Sequence, residues 1–110
     1  MFVRIVTMPL KPGAAEKYAE AVEHYAIPVL RKQKGFVEQL GLVTADGRTS
    51  IGITLWETEK DAEAYARASF ADVMKALGEV AAGPFDVKVG EVTNSTAHKA
   101  SPVLVTEFNV

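Results

Sequence analysis

Residues 35–65 read GFVEQLGLVTADGRTSIGITLWETEKDAEAY. Two runs of strand formers, Phe36–Thr44 and Ser50–Glu57, flank Asp46-Gly47, a pair that tight turns favour, so the stretch predicts a β-hairpin. Thr58-Glu59-Lys60-Asp61 then has capping-box form and predicts a helix directly after the second strand. Upstream, Phe2–Met8 reads as a first strand, which Lys11-Pro12-Gly13 breaks, and proline suits the first turn of the helix that follows. Its apolar positions Ala15, Tyr18, Ala19, Val22, Tyr25, Ala26 and Val29 have helical spacing, and Gly35 is a natural stop. Pro28 lies inside this helix; it lacks an N–H and crowds the His24 carbonyl, so a kink is expected there.

Downstream of the hairpin, Ala62, Tyr65, Ala66 and Ser69 form one inner face. Ser69-Phe70-Ala71-Asp72 repeats the capping form, which predicts a bend and a second segment carrying Phe70, Val73, Leu77 and Val80. Gly83-Pro84 ends it, Phe85–Thr93 alternates as a fourth strand, and Val103–Phe108 reads as a short fifth.

The order is strand–helix–strand twice over, an α+β, ferredoxin-like βαββαβ arrangement with a four-stranded antiparallel sheet. Right-handed crossovers put both helices on one face of that sheet. The domain is expected over residues 1–95, with 96–110 as a C-terminal extension. In the third strand Ile51, Ile53 and Leu55 point one way and Gly52, Thr54 and Trp56 the other, so both faces carry apolar groups. Helices cover only one. The expectation is a symmetric homodimer, sheets packed face to face, with the tail strand reaching the partner's edge.

At 110 residues the chain fits one domain, and 48% hydrophobic with 24% charged residues is an ordinary globular balance. No apolar run approaches the roughly 18 residues of a membrane span, and Met1–Leu10 lacks a secretory layout, so a cytoplasmic location is expected. The net charge of −2 with interspersed signs, and strands without an aromatic stacking run, argue against nucleic acid. No cysteine is present, which removes disulfides and thiolate chemistry. Phosphate loops, the serine-hydrolase elbow and the zinc-protease motif are absent.

Trp56 is the first candidate for a site. Beside Thr54 and Gly52 it forms a pocket wall or, alternatively, is a core tryptophan whose indole N–H is bonded locally. Tyr18, Tyr25 and Tyr65 fall on the inner stripes of their helices and are either core aromatics or donors to a bound oxyanion. His24, near Glu20 on the outer face, reads as solvated, and the pair is too small for a metal site. His98 lies in a polar segment that is a connector or a cap over a pocket mouth.

Leu55-Trp56-Glu57, the helix opening Asp61-Ala62-Glu63-Ala64-Tyr65, the Pro12-Gly13 entry and the Gly35-Phe36 strand start resemble the antibiotic biosynthesis monooxygenase-like domains of the dimeric α/β barrel superfamily. The resemblance covers about residues 1–95. It implies a cofactor-independent monooxygenase, with no metal, that takes an aromatic or polyphenolic molecule between helices and sheet. On that reading Trp56, Tyr65, Tyr25, Tyr18 and Thr54 would bind substrate, and no residue is an obvious base. Haem-degrading relatives use an asparagine on the first strand and a histidine on the second helix. Neither is present here. A non-catalytic barrel that binds a small apolar ligand, or serves as an accessory subunit, is the alternative.

Overall fold

The computed structural model describes residues 1–98. Four strands form one antiparallel sheet in the order β2-β3-β1-β4: β1 (Phe2–Pro9), β2 (Phe36–Val43), β3 (Thr49–Trp56) and β4 (Asp86–Glu91). Helices α1 (Ala15–Ala21) and α2 (Ile27–Arg31) follow β1, and α3 (Glu59–Ala68) and α4 (Phe70–Leu77) follow β3. This is the ferredoxin-like arrangement the sequence implies. The hairpin turns through Gly47, whose φ of 74° suits glycine, and Asp46 accepts a bond from the Arg48 N–H. Thr58 caps α3 by accepting from the Asp61 N–H. The break at Ser69 falls where the repeated capping pattern puts it, but α4 closes at Leu77 rather than running on to Gly83.

The kink expected at Pro28 takes another form. A π-helical segment, Val22–Ala26, joins α1 to α2, and Pro28 sits in the first turn of α2. A widened turn gives the proline ring room and bypasses its missing N–H. It also shifts the helical phase. Ala26 is buried while Tyr25, expected on the inner stripe, is 47% exposed.

Strand register sorts the two faces. Met8 pairs with Ser50, Val6 with Gly52, Arg4 with Thr54 and Phe2 with Trp56, all toward the helices. A bulge between Phe36 and Glu38 lets both Phe36 and Gln39 share that side. The opposite face carries Val3 and Ile5 of β1, Ile51, Ile53 and Leu55 of β3, and Leu40 and Leu42 of β2. Leu40 is 55% and Leu42 42% exposed, so this apolar face is open along the β2 edge. After β4 the chain turns back toward the opposite edge, where His98 Nε2 meets Glu38 Oε1 at 2.5 Å. Its own chain thus reaches one corner of the open face. The strand expected at Val103–Phe108 lies outside the described residues.

Under the helices, Met8, Leu10, Tyr18, Val73 and Leu77 form one buried cluster, and Phe2, Leu30, Trp56, Ala62 and Tyr65 a second. Space is left between them.

Candidate functional site

Strand alternation builds the floor of that space. Ser50, Gly52 and Thr54 follow one another at every second position of β3, and at Gly52 no side chain fills the gap. A Cβ added there would find the Tyr18 hydroxyl nearest, at 3.8 Å. The cavity holds about 60 Å³ of free volume, within about 490 Å³ of space between atoms that includes solvent at its mouth. Val6 and Met8 of β1, Val22 and Ala26 of the π segment, and Phe70 and Leu77 of α4 supply apolar walls. Polar groups come from Tyr18, Gln39, Ser50, Thr54 and Tyr65. A groove along β2 shares Tyr18, Val22 and Gln39 with the cavity as walls.

Of the residues expected to bind substrate, Tyr18, Tyr65 and Thr54 line the cavity together. Trp56 does not. It is fully buried behind them, where its Nε1–H donates to Thr54 Oγ1 at 2.9 Å. Its ring stacks on Tyr65, centroids 5.1 Å apart, and meets the edge of Phe36 at 5.6 Å. The local-bond alternative is therefore the one observed. Having accepted from the indole, the Thr54 hydroxyl keeps its own proton to donate into the cavity. Tyr25 is apart from the others on the outer side of the π segment, and His24 and Glu20 are exposed.

The electrostatics favour donors. Burial pushes the Tyr65 phenol up to about 12, partly offset by the Arg4 charge. Burial also raises Tyr18, the neighbouring Ser50 hydroxyl partly offsetting it, and Ser50 itself donates to the Met8 carbonyl at 3.2 Å. Both phenols stay protonated at neutral pH, so they can donate a hydrogen bond but not act as bases. Among the described residues no aspartate, glutamate or histidine lines the cavity. No group of three or more metal-ligating His, Cys, Asp or Glu occurs among the described residues.

Four residues of this region went unnoticed in the sequence. Ser50 continues the alternation of Gly52 and Thr54 by one step and was within reach of that pattern. Gln39 faces the cavity because of the bulge, which leaves no mark in the sequence. Phe70 was read as core. Arg4 sits on β1 toward the helices, 9% exposed, with its guanidinium carbon 4.7 Å from the centroid of the Phe70 ring. The signal was a charge inside an apolar strand.

A sheet roofed on one side by helices, with an apolar, donor-lined cavity between the layers, defines an α+β domain suited to small ligands. The chain belongs to the antibiotic biosynthesis monooxygenase family, whose model matches residues 1–77. That span contains each described residue that lines the cavity. Among solved structures, the Streptomyces coelicolor monooxygenase ActVA-Orf6, in complex with nanaomycin D, is similar at 23% identity. The match covers 86% of this chain and 92% of that one, with a TM-score of 0.71. SnoaB, a cofactor-independent oxygenase from Streptomyces nogalater, is 16% identical over 88% and 97% of the two chains, at a TM-score of 0.70. A Nitrosomonas europaea protein of unknown function is 17% identical over 86% and 91%, at 0.72. Comparison with curated proteins gives no match. No helix among the described residues is long and apolar enough to cross a membrane.

Proposed function

We propose that this protein is a cofactor-independent monooxygenase that acts on an aromatic or polyphenolic small molecule held between helices and sheet. The observation that carries the reading is the cavity itself. Its walls are mostly apolar, the surface that fused rings pack against, and its polar groups are neutral donors: the Tyr18 and Tyr65 phenols, Thr54 and Gln39. Such donors stabilise an enolate or phenolate more than its neutral parent, which is what oxidation through a carbanion requires. In the simplest case an activated CH₂ and O₂ become C=O and H₂O; one oxygen atom enters the substrate and the other leaves as water. The chain's residues would bind the rings, exclude water and hold the oxyanion. Among the described residues no base lines the cavity, so on this reading the substrate is acidic enough to ionise without one.

The test is oxygen uptake by the pure, metal-free protein with anthrone-like and hydroquinone-like compounds. Uptake above the buffer rate is expected, and Gly52→Leu, which puts a side chain into the cavity, should abolish it while the fold survives. No uptake across the panel would refute catalysis. The missing base favours a second reading, a non-catalytic binding protein; in that case the same compounds would raise the melting temperature without consuming oxygen.

The open face supports a homodimer in which two sheets pack together. Val3, Ile5, Ile51, Ile53 and Leu55 are only partly covered by their own chain, and Leu40 and Leu42 less so. A contiguous apolar face of this kind on a soluble monomer is unusual.

A further inference from the structure

We propose that Arg4 makes the cavity selective for aromatic ligands bearing a negative charge, a carboxylate or ionised phenol, whose anionic end lies toward Tyr65 and Phe70. The inference rests on the cavity being a ligand site and deepens that reading by naming the substrate class.

Arg4 is almost wholly buried, and a buried guanidinium without a counter-charge is unfavourable. Among the described residues no carboxylate lies within ion-pair distance of it; the ion pairs found involve Met1 with Glu91, Lys88 with Asp86, and His98 with Glu38. Among the described residues its guanidinium lies over the face of Phe70, which holds a cation weakly compared with an anion. Register places it beside cavity residues: Thr54 is its cross-strand partner, and Val6 follows it on the same face of β1. Phe70 and Tyr65, which it touches through its ring contact and its field, are cavity walls as well. The remaining polar atoms there are neutral hydroxyls, phenols and an amide. Arg4 is not itself a wall of the cavity, but a positive charge beside a donor-lined space with no acidic side chain among its described walls is complementary to an anion. A purely structural Arg4, a pillar under Phe70, would give no such preference.

Calorimetric titration of the intact chain with 2-naphthoate and its neutral isostere 2-naphthamide decides between these. Wild type should bind the naphthoate about tenfold tighter, the margin of an ionised over a neutral hydrogen bond. Arg4→Gln should remove the preference by weakening only the naphthoate. Should Arg4→Gln not fold, the Arg4 guanidinium NMR signal of wild type must shift with naphthoate and not with naphthamide. Equal binding of the two probes by wild type, a preference that survives Arg4→Gln, or an unmoved guanidinium signal would overturn the role of Arg4 and leave the cavity reading intact. Binding of neither probe would overturn the cavity reading and this inference with it.

Discussion

Thr54→Val tests the joint between core and cavity. Valine keeps the shape of threonine and removes the oxygen that accepts from Trp56 Nε1 at 2.9 Å. Trp56 is fully buried among Tyr65 and Phe36, so no water replaces that acceptor. A buried donor left without a partner costs about 1–3 kcal/mol. For a domain of this size that is a fall in Tm of roughly 4–12 °C. The cause can be isolated by repeating the substitution in a Trp56→Phe background, where no N–H exists. There Thr54→Val should be nearly neutral, giving a coupling of about 1–3 kcal/mol between the two sites. Thermal and urea unfolding followed by far-ultraviolet circular dichroism serve all four proteins, at one fixed concentration because a dimer's Tm depends on it. A loss below about 0.5 kcal/mol for Thr54→Val, or the same loss in both backgrounds, would refute the argument.

Leu40→Glu is expected to convert a dimer into a folded monomer in sedimentation, since the leucine is exposed in the single chain and a charge buried between sheets is strongly unfavourable; a wild type already monomeric at micromolar concentration would refute the face-to-face packing. Tyr65 binds its proton more tightly folded, near 12, than unfolded, near the ordinary 10. Its contribution is therefore complete below pH 10 and is lost as pH rises from there toward 12. Urea midpoints across that window should fall less steeply for Tyr65→Phe, and parallel slopes would count against the burial argument.

Strand order, helix order and the two-faced sheet were legible because they depend on local signals: alternation in β3, the Asp46-Gly47 turn, and caps at Thr58 and Ser69. The cavity was half legible. Gly52 beside Thr54 marked a gap in the packing, and Tyr18 and Tyr65 fell on stripes of regular helical period. Tyr25 was misplaced because the period itself changes across Val22–Ala26, and a single proline signals an irregularity without saying which kind. Trp56 was located on the right face, but whether a large ring lines a cavity or backs it depends on its neighbour's hydroxyl, a contact set by side-chain geometry. Gln39 depended on a bulge and Arg4 on what surrounds it in space. Neither is a property of spacing.

The family match ends at Leu77, and among the described residues the cavity lining also runs no further than Leu77. β4 lies beyond it, and so does the segment that brings His98 to Glu38. The part of the chain that defines the family is thus also the part that encloses the ligand space, whereas what lies after it closes the sheet edge. Yet family membership does not fix chemistry, because the walls are mostly apolar and a handful of polar atoms decides what is held. In this chain those atoms are donors whose burial keeps them protonated, with Arg4 as the nearby charge. Donors of that kind do not take a proton from a ligand, but they would lower the free energy of one that has lost it. On the proposed function, acidity must then come from the bound molecule, and selection among aromatic compounds becomes selection by how readily they ionise.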